Sequence, residues 1–460
     1  MSDDPLFASL QKIFDELNAA VTLAEVVSVI GEVREILGLC ATVDGLNDSL
    51  SIGDRVSLYA RDGTRIPAEV VGFRDNSASL MAFAALDGVG PGSEARLCID
   101  PGAPKRGLYI DDAWLGRVID PLGNAIDGKG PLRLNSRWRS TVTSPPLATT
   151  RARLGPRMNL GVRALDAFTT CRIGQRLGLF AGSGVGKSTL LSMLARQADC
   201  DVAVIALVGE RGREVREFIE DDLGAEGLKR SVVVIATSDS PPLMRREAAY
   251  AAMAIAEYFR DQGKSVLLLM DSVTRFCLAL REIGLSAGEP PATRGYPPSV
   301  FATLPALLER AGPGAVGQDG KAGFITALFT VLVEGDDHNE PVADAVRGIL
   351  DGHIVLDRKI GEAGRYPAID VLKSLSRSVP GCNSAAENSM MRRARAIMAN
   401  YERMADMIRL GAYKQGTDPA IDEAIVLMPA LTAFLTQDWN ETATIEGSFN
   451  ALRNILGEVA

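Results

Sequence analysis

One stretch constrains the fold more than any other: residues 173–194, which read IGQRLGLFAGSGVGKSTLLSML. A short apolar run enters a loop of small residues, and an apolar stretch of helical period follows the loop. Glycines let such a loop turn successive backbone N–H groups toward one point, where the positive end of the helix adds to their attraction for phosphate oxygens. The order of strand, glycine-rich loop and helix therefore predicts a phosphate-binding loop in an α/β domain.

The loop pattern also assigns individual roles. We expect Lys187 to reach the β and γ phosphates of a nucleoside triphosphate and Ser188 to ligate Mg²⁺. The usual pattern begins with glycine, whereas Ala181 stands there, a change that we interpret as tolerated because three glycines follow. A glycine-rich turn without a ligand is the alternative. The residues predicted to surround the phosphates are Gly182, Ser183, Gly184, Val185, Gly186, Lys187, Ser188 and Thr189.

Charge and residue usage argue against several classes of function. The 460 residues carry a net charge of -9, whereas nucleic-acid binding leaves a basic footprint, so no nucleic-acid partner is expected. Two histidines, and six cysteines without a CxxC spacing, argue against zinc sites and histidine-based nucleophilic catalysis. The start lacks the positive region of a secretion signal, and no apolar run approaches the roughly 20 residues that span a bilayer. These features predict a cytoplasmic protein without a transmembrane segment.

The spacing of apolar residues divides the chain into four parts. Residues 1–20 have helical spacing and predict one amphipathic helix, either packed on its own domain or used as a docking helix for a partner. Short alternating runs in 21–99 predict a small β barrel. In 100–379 buried β runs alternate with helices, which predicts a mostly parallel sheet covered on both faces. Residues 380–460 predict a C-terminal helical domain, so the fold class is α/β with a P-loop core between barrel and helices.

Two acidic residues end strands that follow the loop. Asp271 ends the run VLLLMD, where its carboxylate is expected to hold the magnesium's water shell opposite Ser188. Glu210 follows VAVIALVG, where it is expected to orient, or to orient and deprotonate, the water that attacks the γ phosphate. The alternative for Glu210 is a simple ion pair with Arg211 or Arg213.

A third stretch, RYPAIDVLKSLSR, supplies two further candidates. Tyr366 beside a proline offers a flat surface on which adenine could stack, although a tyrosine packed in the core fits the pattern nearly as well. Arg377 follows small hydroxyl residues and is a candidate arginine finger that neutralises charge in the transition state. The alternative for Arg377 is an ordinary surface arginine.

The segments AGSGVGKST, GERGREV and PAIDVLKSLS together resemble the rotary ATPase α/β family. Within that family GERGREVREF, MDSVTRF, GEPPATRGYPPSVF and DAVRGILDGHIVLDR look like the ATPases of type III protein export, and the flagellar export ATPases match best. The resemblance covers nearly the whole chain, and its motifs are highly specific.

This resemblance implies a homohexameric ring that hydrolyses ATP with Mg²⁺ at its subunit interfaces, and that helps to unfold or unlatch exported proteins and chaperones at the export gate. Lys187, Ser188, Glu210 and Asp271 match the catalytic subunit of the synthase, and Arg377 matches the finger that a neighbour supplies. The family further implies a coiled-coil central stalk, a peripheral regulator that binds the N-terminal helix, and peripheral association with the export apparatus of the inner membrane.

Three alternatives stay open at this point. The ATPase of a non-flagellar injectisome has a nearly identical core. A catalytic subunit of a proton-translocating synthase is disfavoured by the GREVREF and RGYPPSVF segments. It is also disfavoured because this one chain carries both Arg377 and the catalytic residues. A ring-shaped nucleic-acid translocase is disfavoured by the acidic composition.

Overall fold

The computed structural model describes residues 27–99, 106–134, 138–182, 184–317, 320–333 and 340–457. The chain divides into two compact units, Met1–Arg106 and Gly107–Ala460. The amphipathic helix expected at 1–20 lies outside the described residues. Within the described part of the chain, no helix is both long enough and apolar enough to cross a lipid bilayer.

The first unit is a closed barrel of six antiparallel strands. They are β1 (Val27–Leu37), β2 (Cys40–Asp44), β3 (Arg55–Tyr59), β4 (Arg65–Arg74), β5 (Ser77–Ala82) and β6 (Glu94–Ile99). Pairing of β1 with β6 closes the barrel in the order β1-β2-β5-β4-β3-β6. Alternate side chains point inward, as Val56 and Leu58 do on β3, and they form the barrel core. The predicted small β barrel is confirmed.

The second unit is built on a central sheet. Its strands, with four short flanking strands, are β7 (Gly107–Leu108), β8 (Arg117–Ile119), β9 (Arg139–Ser140), β10 (Arg157–Met158), β11 (Cys171–Arg172), β12 (Arg176–Ala181), β13 (Val202–Glu210), β14 (Ser231–Thr237), β15 (Ser265–Asp271), β16 (Gly312–Pro313), β17 (Phe324–Leu332), β18 (Gly352–Leu356) and β19 (Leu375–Ser376). The order is β19-β18-β12-β17-β15-β13-β14-β8, with β16 attached to β17. All pairs from β18 to β8 are parallel, and β19 and β16 run antiparallel to their neighbours.

Helices cover both faces of this sheet. They are α1 (Arg163–Phe168), α2 (Lys187–Gln197), α3 (Gly212–Glu217), α4 (Gly224–Lys229), α5 (Pro242–Arg260), α6 (Val273–Ser286), α7 (Pro298–Leu308), α8 (Pro341–Ile349), α9 (Arg358–Glu362), α10 (Ala385–Arg409), α11 (Pro419–Leu435) and α12 (Ile445–Leu456). One π-helical turn, Phe218–Leu223, joins α3 to α4.

Successive residues of a strand contribute to two separate hydrophobic cores, because their side chains point to opposite faces of the sheet. On β13, Ile205 and Leu207 belong to the core that also includes α2 and the C-terminal helices α10 to α12, whereas Val204 and Ala206 belong to the core that includes α5 to α8. The C-terminal helices therefore share one continuous core with the face that carries α2. The predicted α/β class, with a mostly parallel sheet and a helical end, is confirmed.

The strand order brings three sequence motifs to one edge. Because β12, β13 and β15 are parallel, Ala181, Glu210 and Asp271 all lie at the carboxyl edge of the sheet. Ligands of open α/β sheets bind outside that edge.

Candidate nucleotide-binding site

The phosphate loop connects the end of β12 to the start of α2. Gly184 and Gly186 have φ angles of 76° and 85°, in the left-handed region that glycine adopts without strain. Gly186 is the N-cap residue of α2. Because it has no side chain that could accept a hydrogen bond from the N–H groups of the first turn, these groups are free to bind an anion. Ala181 is the last residue of β12 and pairs with Leu332 and Leu356, and an extended strand accepts alanine as readily as glycine.

Lys187 lies between the two strand-end carboxylates. Its Nζ is 2.7 Å from Asp271 Oδ1 and 3.3 Å from Glu210 Oε1. The Lys187 side chain is only 13% exposed, so the three charges interact with less screening than they would on the surface. Glu210 is therefore paired with the loop lysine, whereas Arg211 pairs with Glu214.

Neighbouring charges and burial shift the pKa values of Glu210 and Lys187. Burial, together with the negative charge of Asp271, raises the pKa of Glu210 above its usual value, although Lys187 acts in the opposite direction. Burial disfavours the ammonium form of Lys187, but the carboxylates of Asp271 and Glu210 outweigh burial, and the pKa of Lys187 is raised. The lysine is thus held as a cation beside a glutamate that gains a proton more readily than an exposed one.

Thr330 completes this group and was missed by the sequence analysis. It lies on β17, between β12 and β15, and is fully buried. Its Oγ1 donates to Asp271 Oδ1 at 2.6 Å. The signal available in the sequence was one hydroxyl residue near the end of the apolar run FITALFTVL. A lone threonine in a strand is too common for that signal to carry an assignment.

Ser188 and Asp271 line a small cavity together with Glu210 and Glu214, and three apolar side chains form its remaining wall. Hydroxyl and carboxylate oxygens are ligands that suit Mg²⁺, which commonly takes one or two carboxylates together with phosphate oxygens. No cluster of three or more His, Cys, Asp and Glu side chains that could hold a metal occurs among the residues that the structure describes. This donor set therefore fits a cation that arrives with a phosphate ligand.

The other residues predicted to surround the phosphates differ in their burial. Thr189 is exposed in the first turn of α2, and its carbonyl accepts the Ser192 hydroxyl at 2.8 Å. Val185 is buried and anchors the loop in the core, and Gly182 is buried next to the end of β12. Ser183 lies outside the described residues.

Tyr366 lies beside the phosphate loop. A Cβ added at Gly186 would come within 3.4 Å of its ring atoms Cδ1 and Cε1, and one added at Gly361 within 3.3 Å of its hydroxyl oxygen. The tyrosine is 47% exposed, so it is not a core residue. Its carbonyl accepts the backbone N–H of Gln437 at 2.9 Å, which ties this position to the C-terminal helices. Part of this aromatic side chain is therefore exposed beside the phosphate loop.

Arg377 lies at the other edge of the sheet. It directly follows β19, whose Ser376 pairs with Gly352 at the amino end of β18, and its N–H donates to the carbonyl of Asp351 at 2.9 Å. The strand β18 separates this point from the carboxyl edge by about 13 Å, at about 3.3 Å per residue. Arg377 is exposed, and its guanidinium has no hydrogen bond or ion pair with the residues that the structure describes. The structure thus does not bring Arg377 together with Lys187 in one chain.

A phosphate loop and two strand-end carboxylates at the carboxyl edge of a parallel sheet place this chain among the P-loop ATPases. The family model "ATP synthase alpha/beta family, nucleotide-binding domain" matches residues 161–376. The model "T3SS EscN ATPase C-terminal domain" matches residues 384–454.

Relatives match over almost the whole chain. A flagellum-specific ATP synthase of Caulobacter vibrioides is 55% identical over 96% of this chain and 98% of its own length. A type 3 secretion system ATPase of Xanthomonas euvesicatoria is 47% identical over 92% of this chain and 93% of its own length. The assembled ATPase EscN of the enteropathogenic E. coli type III secretion system superposes with a TM-score of 0.83 at 39% identity, over 93% of this chain and all of that one. This chain belongs to the family of flagellum-specific ATP synthases and type III secretion ATPases.

Proposed function

We propose that this protein hydrolyses ATP at interfaces between copies of itself. Lys187, Ser188, Glu210 and Asp271 of one subunit bind and activate the substrate, and Arg377 of the next subunit reaches the terminal phosphate. The observation that carries this proposal is the position of the two sets of residues at opposite edges of one sheet. In a ring of identical subunits, one edge of each subunit can face the other edge of its neighbour.

Each side chain then has a defined task. The N–H groups of the loop and the ammonium of Lys187 hold the β and γ phosphates. Ser188 and Asp271 would hold Mg²⁺, which supplies positive charge to the phosphate oxygens when it is bound. Glu210 accepts a hydrogen bond from the attacking water and orients it. Arg377 from the neighbour neutralises the charge that develops in the transition state, and Tyr366 stacks on the adenine.

The proposed assembly is a homohexameric ring that drives or primes type III export of flagellar proteins. Support comes from the family and from a solved structure of EscN in complex with its central stalk EscO, which superposes with a TM-score of 0.82 over 93% of this chain. By analogy we propose a coiled-coil stalk protein, a regulator that binds residues 1–20, and export gate, chaperones and exported proteins as partners. The ring would then be cytoplasmic and peripheral to the inner-membrane export apparatus.

Export through an injectisome is the second candidate. Its support is the 47% identity to the Xanthomonas enzyme and the likeness to EscN. The 55% identity to the Caulobacter flagellum-specific protein favours the flagellar assignment.

A single allele exchange tests both candidates. Replacing the chromosomal copy by Lys187→Ala should abolish swimming and stop secretion of the flagellar hook and filament proteins, while an added wild-type copy restores both. Loss of effector secretion with normal swimming would assign the injectisome instead. Normal swimming together with normal secretion would contradict export as the function.

A further inference from the structure

Gln175 is a fully buried polar residue at the amino edge of the sheet, directly before β12. Its side-chain amide makes four hydrogen bonds. Nε2 donates to the carbonyl of Asp351 at 3.1 Å and to the hydroxyl of Ser376 at 2.9 Å. Oε1 accepts the N–H of Arg172 at 3.0 Å and the hydroxyl of Ser378 at 2.9 Å. The amide therefore uses both of its donors and both of its lone pairs.

This bonding pattern admits one orientation of the amide. The backbone N–H of Arg172 can only donate, so the amide oxygen must face it, and the amide hydrogens must then face Asp351 and Ser376. A buried amide with every hydrogen bond satisfied is rigid, because turning it would leave polar groups without partners.

Three of the four partners surround Arg377. Ser376 precedes it and Ser378 follows it in the chain, and the carbonyl of Asp351 accepts the Arg377 N–H at 2.9 Å. A second contact braces the same point, since the guanidinium of Arg176 holds the Asp351 carboxylate at 3.2 and 3.3 Å. The Arg377 guanidinium itself is exposed, so the backbone that carries it decides where that guanidinium can reach.

We propose that Gln175 is the positioning residue of the arginine finger: it holds the backbone on both sides of Arg377, so that the guanidinium enters the neighbouring subunit's site at a fixed place. This role rests on the proposed function in trans. A misplacement of about 1 Å can cost about 10²-fold in rate. Loss of the amide should therefore lower turnover at the neighbour's phosphate loop and leave the chain's own loop, at the opposite edge, competent.

The test uses mixed rings in which only one kind of interface can work. A Lys187→Ala chain keeps the finger but has no working loop, and we call it the donor chain. An Arg377→Ala chain keeps the loop but has no finger, and we call it the acceptor chain. Co-assembled rings of the two, purified through different tags, give a reference ATPase activity. Gln175→Leu is then added either to the donor or to the acceptor.

We expect Gln175→Leu to lower the recovered kcat about tenfold or more when it is in the donor, and to leave the recovery in place when it is in the acceptor. The same substitution is thus its own control, because any cost in folding falls on both arrangements. Equal losses in the two arrangements would show a merely structural role and overturn the inference. Failure of the reference mixture to recover any activity would instead overturn action in trans, and the role of Gln175 with it.

Discussion

Thr330 donates its hydroxyl to Oδ1 of Asp271, the same carboxylate oxygen that accepts the ammonium of Lys187. The two distances are 2.6 and 2.7 Å, and the threonine comes from the neighbouring strand. With Oδ1 held from two sides, Oδ2 is the oxygen left to meet the water shell of a cation. The orientation of the carboxylate that we propose to hold Mg²⁺ therefore depends on a residue that lies two strands further along the chain.

Replacing Thr330 by valine should misalign Asp271 without changing the volume of the core. Because a buried acceptor loses a neutral donor, we expect a stability loss of about 1 kcal/mol. We also expect several-fold weaker activation by Mg²⁺, measured as the concentration that gives half-maximal ATPase activity. Thr330→Ser, which keeps the hydroxyl, is the matched control and should stay near wild type. An unchanged Mg²⁺ dependence in the valine variant would limit Thr330 to a packing role.

Removing the ammonium of Lys187 should abolish turnover. Lys187→Ala takes away a charge that contacts the β and γ phosphates in the proposed complex, and losing one such electrostatic contact costs about 10²–10³-fold in kcat. It also leaves Glu210 and Asp271 without the cation between them, so the melting temperature should fall at neutral pH. Phosphate release and thermal unfolding measure the two effects. Undiminished phosphate release would exclude the loop as the site.

Arg377 should act on its neighbour. Arg377→Ala and Glu210→Gln are each expected to be nearly inactive alone, since loss of an arginine finger lowers kcat by about 10³-fold or more. In mixed rings, an Arg377→Ala subunit, which keeps Glu210, can form an interface with a Glu210→Gln subunit, which keeps Arg377. We expect activity at least about tenfold above either variant alone. Co-assembled rings that remain as inactive as the separate variants would count against the interface site.

The pH dependence of turnover should report Glu210. Its folded-state pKa is raised above the ordinary 4.5, so the carboxylate that we propose to orient water is lost at a pH where an exposed glutamate would still be charged. We expect kcat/KM to rise with pH with a midpoint above 4.5. This rise should be absent in the residual activity of Glu210→Gln. A wild-type midpoint at or below 4.5 would contradict the environment seen around Glu210.

The same shift has a consequence for stability. A group whose pKa is higher in the folded state contributes stability that is present below its unfolded pKa and lost as pH rises through its folded pKa. Glu210→Gln should therefore unfold at a higher temperature than wild type at neutral pH. The difference should shrink as pH falls through the raised folded-state pKa of Glu210 toward 4.5, and it should change little below that value. Thermal melts across that range measure it, and a difference that is constant with pH would refute the assignment.

Tyr366 should contribute to nucleotide affinity through its ring. Stacking of a base on an aromatic side chain is worth about 1–3 kcal/mol, so Tyr366→Ala should raise the KM for ATP by about fivefold or more. Tyr366→Phe keeps the ring beside Gly186 and serves as the control, with a KM close to wild type. Equal KM values in the alanine and phenylalanine variants would rule out stacking.

Local patterns were enough to predict much of the site. The phosphate loop follows from glycines placed between a strand and a helix, and Glu210 and Asp271 follow from acidic residues at the ends of apolar runs. Parallel strands present their carboxyl ends at one edge, so these residues could be expected to meet without knowledge of the strand order. The barrel and the helical end were predicted from periods of two and of about 3.6 residues in the same way.

Other relationships could not be predicted in this manner. Gln175 bonds to Ser376 and Ser378, about 200 positions further along the chain, and Thr330 bonds to Asp271 across two strands that are neighbours only in the folded sheet. Nothing local in the sequence marks either residue, because a buried hydroxyl or amide is defined by its surroundings.

Residues close together in the chain were enough to predict which elements form and which residues are expected to bind phosphate. The position of Arg377 relative to Lys187 became visible only in the folded chain. That distance depends on the pairing of β19 with the amino end of β18, an antiparallel contact between distant segments that burial and hydrogen bonding select in the folded state. The same pairing puts Arg377 at the edge of the sheet away from the phosphate loop of its own chain.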